Sequence, residues 1–111
     1  MSLKTTNAST IVSAVNLSQR IKKELNDIIP LIEIKTKGGL TEAETKLKFL
    51  IKLIGQFKRD EIKSLHKSDL VALDILFESV VNFVSNFEEK SNNERIETAQ
   101  YLLVLAKNTF G

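Results

Sequence analysis

From Ile11 onward the apolar residues return at alternating steps of three and four, as Ile11, Ala14, Ile21, Leu25, Ile28 and Ile32, with Ser18 the one polar residue in the series. That spacing stacks side chains on one face of an α-helix. The pattern predicts a first helix carrying the sole proline, Pro30. Proline cannot donate to the carbonyl of Asn26 and crowds it, so a kink or break is expected near Pro30. Gly38 and Gly39 are expected to stop the helix, because glycine enters the left-handed C-terminal conformation without a Cβ penalty.

Three further segments follow the same logic. Thr41 and Glu44 have the spacing of a capping box and predict the start of a second helix, with Ala43, Leu47, Leu50, Ile54 and Phe57 facing inward. Lys58 and Glu61 interrupt that face before Ile62 and Leu65 resume it, so a bend near Gly55 is conceivable, and the helix is read as continuing to about Leu65. Ser68 is the expected N-cap of a third helix. Its apolar positions, among them Leu70, Leu73, Leu76, Phe77, Val80, Phe83, Val84 and Phe87, cover about half the wheel and predict the most buried helix of the set. A loop at "EEKSNNE" leads to a second capping box, Ser91 with Glu94, and a fourth helix facing inward with Ile96, Ala99, Leu102, Leu103, Ala106 and Phe110. Four amphipathic helices on short connectors define an all-α, antiparallel four-helix bundle with helix 1 kinked or broken near Pro30. The chain reads as one domain, 1–111, with 1–8 a flexible N-terminal segment.

Composition narrows the chemistry. With 42% hydrophobic and 27% charged residues, four glycines and one proline in 111 residues, the chain is neither disordered nor turn-rich in composition. The absence of cysteine excludes disulfides and thiolate metal sites. No run approaches the roughly 20 apolar residues of a membrane span, and the chain reads as cytoplasmic, although a mature secreted chain would look the same. The asparagines of "NAS" at Asn7 and "NLS" at Asn16 fit the glycosylation acceptor pattern at a frequency chance alone supplies.

Catalytic groups are scarce. His66 is the only histidine. A histidine phosphotransfer domain needs its histidine in mid-helix with a cation one turn on, and here Lys67, Ser68, Asp69 and Leu70 follow instead. One histidine and no Glu-x-x-His pair leave too few ligands for a metal. Glu88 and Glu89 are adjacent at a helix end and point apart, which suits solvation rather than acid and base work. The "KTKGGLTEAE" stretch lacks the spacing of a phosphate-binding loop and places Glu42 and Glu44 where an anion would sit. The sequence therefore predicts no enzyme, no cofactor and no metal.

Charge and leftover apolar residues suggest contacts. Net charge is +2, but Lys35 to Lys67 holds nine basic residues against four acids, and Ser68 to Glu97 two against seven. Lys48, Lys52, Arg59 and Lys63 fall within about 60° of one another on a wheel, opposite Leu47, Leu50 and Ile54. The ordinary meaning of such a row is a solvated outer face; the functional one is an electrostatic footprint. Nucleic acid is disfavoured by the lack of interleaved aromatics and of any DNA-binding motif. Because helix 2 needs its apolar face for the core, it cannot both insert in a membrane and fold. Asp69, Asp74 and Glu78 could meet lysines at the flank of helix 2. Tyr101, Val104 and Leu105 on helix 4, with Val71 and Ile75 on helix 3, lie outside the inward arcs and form a candidate contact patch. The expectation is a non-enzymatic protein that binds a protein partner or a second copy of itself. Its size, basic isoelectric point and lack of catalytic groups also suit an adaptor, an inhibitor or a small four-helix immunity protein, though no motif carries such a resemblance. A nucleic-acid binder using the basic face and a phosphotransfer domain using His66 are the alternatives.

Overall fold

A computed structural model describes the backbone of residues 8–110 and the side chains of residues 15–109. Four helices run in order: α1 Ala8–Glu33, α2 Lys37–Glu61, α3 Lys67–Ser85 and α4 Asn92–Phe110. Each packs along the next, and α1 closes the ring against α4, while the backbones of the diagonal pairs do not approach one another. The result is an antiparallel four-helix bundle of 44 × 20 × 19 Å.

The inward faces match the periodicity. Ile21, Leu25, Ile28 and Ile32 of α1 and Ala43, Leu47, Leu50 and Ile54 of α2 are completely buried, as are Leu73, Leu76, Val80, Ala99, Leu102 and Ala106. Leu17 joins them, and Ser18 is buried as the pattern implies. The side chains of Ile11, Ala14 and Phe110, and all of Asn7, lie outside the described residues. Helix α3 is not the most buried helix. Leu70, Phe77 and Val84 sit half-exposed at its flanks, because in a ring of four each helix has two neighbours rather than three.

Pro30 does not break α1, which continues to Glu33 with Ile34 N–H donating to the Pro30 carbonyl at 3.1 Å. The carbonyl that Pro30 leaves without a helical donor belongs to exposed Asn26, and Pro30 is itself exposed, so water can reach that turn.

The first connection differs from the expected one. Helix α2 opens at Lys37, not at Thr41: Thr36 is its N-cap, and its hydroxyl accepts from Gly39 N–H at 3.0 Å. Thr41 already lies in the helix and donates its hydroxyl to the Lys37 carbonyl at 2.9 Å. The two glycines therefore do not stop α1. The left-handed residue after α1 is Lys35, with φ of 56°. Gly39 is needed for a different reason, close approach. A Cβ there would lie 2.5 Å from the Leu31 carbonyl oxygen and 2.8 Å from Ile34 Cδ1, whereas one at Gly38 would meet nothing within 4 Å.

The remaining ends follow local chemistry. Helix α2 stops at Glu61, short of Leu65, with Ser64 N–H turning back to the Glu61 carbonyl at 2.9 Å. It runs through Gly55, where Phe77 of α3 packs 3.5 Å from the position a Cβ would take. The N-cap of α3 is His66, not Ser68, and its side chain makes no capping bond. The second capping box forms as expected: Ser91 N–H donates to Glu94 Oε1 at 3.0 Å, and Glu94 N–H donates to Ser91 Oγ at 3.2 Å. Sequence reading gave no role to Arg95. It is buried and donates to the carbonyls of Phe87 at 2.7 Å and Glu88 at 3.1 Å and to Asn92 Oδ1 at 2.7 Å, with its guanidinium over the Phe87 ring. It holds the end of the α3–α4 connection closed.

Two outcomes follow from these connections. Gly39→Ala is expected to destabilise the bundle by about 2 kcal/mol through overpacking, while Gly38→Ala stabilises it by up to about 1 kcal/mol; urea unfolding midpoints of the two variants would separate in opposite directions. The Ser91 backbone N–H, and then its hydroxyl, hold the Glu94 carboxyl below its ordinary value of 4.5. The stability this confers is complete above the unfolded-state value and is lost as pH falls through the folded one. Glu94→Gln, which removes the titrating carboxyl, should flatten the acid limb of a stability–pH curve, and an unchanged limb would count against the reciprocal cap.

Candidate interaction surfaces

The basic row lies where the wheel places it. Lys48, Lys52 and Arg59 are exposed on the outward face of α2, and Lys63 is exposed in the turn beyond its end, so the row is three helical cations and one loop cation. Lys48 leans on Glu44 at 3.9 Å; among the described residues Lys52, Arg59 and Lys63 make no ion pair. From Thr41 to Arg59 the outward arc of about 120° reads Thr41, Thr45, Lys48, Phe49, Lys52, Gly55, Gln56 and Arg59, with no acid in it. Arg59 lies back over Gly55, where an added Cβ would be 3.4 Å from its guanidinium.

The neighbouring helices treat charge differently. Toward α3, half-buried Lys58 pairs with Asp74, which is the internal complementarity anticipated for that flank. Asp69 is buried and engaged elsewhere, and Glu78 is exposed. Toward α1, buried Glu24 is approached by Arg20 Nε at 3.5 Å and by Lys46 Nζ at 3.4 Å. Arg20 also places its guanidinium 5.1 Å from the centroid of the Phe49 ring. Phe49, which the periodic pattern did not single out, is exposed beside the cation row, and so is Ile62, which was expected to face inward with Leu65 but lies beyond the end of α2, where only Leu65 is buried. Phe49 sits about 100° round the helix from Lys48, outside the inward face, and that position was the available signal.

The second candidate surface follows the seam between α3 and α4. Val71 and Ile75 are half exposed, at 52% and 49%, and Tyr101 and Val104 at 56% and 57%. Leu105 is only partly exposed and packs against the core, so it belongs to the seam floor more than to a free patch. Tyr101 borders a shallow groove with Ser79, Asn82 and Asn86 of α3. Antiparallel packing then brings Ile75 level with Leu105 and Val71 toward the end of α4. Val104 turns away, into the groove that Lys22 and Asn26 of α1 line. By register Ile75 and Val71 thus follow Tyr101 and Leu105 along the seam, while Val104 lines a separate groove.

His66 is exposed at the N-cap of α3, not in mid-helix. Among the described residues no group of three or more histidine or acidic side chains could hold a metal ion, and no helix is long and apolar enough to cross a membrane. No protein-family model, curated protein or solved structure matches the chain.

Proposed function

We propose that the chain is a non-enzymatic helical-bundle protein that acts by binding another protein, in an adaptor, inhibitor or immunity-type role, through the seam between α3 and α4. What supports this reading is that Val71, Ile75 and Tyr101 are each about half exposed and, by helical register, fall along the same seam as partly buried Leu105. Their apolar surface is not needed to close the core, whose inward faces are already sealed. Tyrosine suits a contact that is half apolar and half wet, and the amides of Asn82 and Asn86 supply a polar continuation along the same groove. A second copy of the chain is the competing occupant. His66 caps α3 from an exposed position without a side-chain capping bond, a placement that suits a binding protein as well as any other.

The test is an Ile75→Ser/Tyr101→Ser variant. Both positions are exposed, so it should unfold at nearly the wild-type urea concentration, whereas a Leu105 change would also perturb packing. For the purified partner complex, or for a wild-type dimer seen by light scattering, the variant should weaken association at least about tenfold. A complex or dimer of unchanged affinity would remove the seam as the contact.

A further inference from the structure

We propose that the outward face of α2 docks the protein onto the surface of an anionic lipid bilayer. This surface is distinct from the α3–α4 seam and does not depend on it. The stripe from Thr41 to Arg59 is about 27 Å long, bounded by Glu42 and Asp60 along one edge and Glu44 along the other, and its cations are exposed and, Lys48 with Glu44 apart, unpaired among the described residues. Lys63 extends the stripe into the following turn. A line of hydrated point charges on a convex rod matches the diffuse negative potential of a planar headgroup layer, which attracts each nearby lysine or arginine without needing a shaped pocket.

Two apolar side chains favour lipid over other polyanions. Phe49 and Ile62, 38% and 47% exposed, lie one on each side of the cation row, where they would meet the headgroup layer at the margins of the docked face. Arg20 stacked on Phe49 keeps a further cation at that edge. The face has no cleft into which a base could be splayed and no second aromatic on which one could stack. Docking by this face leaves Leu47, Leu50 and Ile54 in the core, so the helix need not leave the bundle to touch the membrane.

The experiment is flotation of the full chain with vesicles of phosphatidylcholine alone or mixed with phosphatidylglycerol. Retention is expected on the anionic vesicles only, falling at least about tenfold when salt is raised to about 0.5 M. It should fall as far in a Lys48→Gln/Lys52→Gln/Arg59→Gln/Lys63→Gln variant whose circular dichroism is unchanged. Phe49→Ser, which leaves the charge intact, should weaken retention several-fold, and Ile75→Ser/Tyr101→Ser should leave it unaltered. Lack of retention at low salt, equal retention on neutral vesicles, or full retention by the four-site variant would overturn the proposal. So would loss of retention in the seam variant. A single-stranded oligonucleotide that strips the protein from the vesicles and depends on the same four cations would also overturn it, in favour of nucleic acid.

Discussion

Complete burial of Ala43, Leu47, Leu50 and Ile54 between α1 and α3 is the constraint from which the rest of the molecule follows. Sealing a leucine or isoleucine side chain is worth roughly 1.5 to 3 kcal/mol, while an exposed ion pair contributes about 1 kcal/mol at most. The rotation of α2 about its axis is therefore set by the apolar stripe. Its lysines face outward as a consequence, whatever they then bind.

The turn between α1 and α2 fixes how closely that stripe approaches its first neighbour. Gly39 lets the α2 backbone sit against the Leu31 carbonyl, and Thr36 caps the helix in the register that puts Gly39 at that contact. Lys35 bears the left-handed conformation as a result. The α3–α4 connection solves the corresponding problem with a side chain, since Arg95 reaches back to two carbonyls that no helix satisfies.

The bundle and its inward faces were legible in the sequence because the three-and-four spacing persists through all four segments and nothing competes with it. Helix ends were less so. The capping-box spacing pointed to Thr41, whereas the cap is Thr36, in the register that sets Gly39 against Leu31. At α3, His66 takes the position that a local preference would give to Ser68. The exposure of Lys48, Lys52, Arg59, Tyr101, Val104, Val71 and Ile75 could be read from the wheel. The half-burial of Leu105 and the separation of Val104 from Tyr101 could not, because each depends on which neighbour lies beside α4. Buried Glu24 and Arg95 were hidden for the same reason: their partners are contributed by another helix or by a loop.

Helices α2 and α4 stand at opposite corners of the ring, and their backbones do not approach one another. With a cross-section of 20 × 19 Å, the bundle is a rigid stand-off of one fixed thickness. Whatever is held along the α3–α4 side would ride at that height above anything lying against α2.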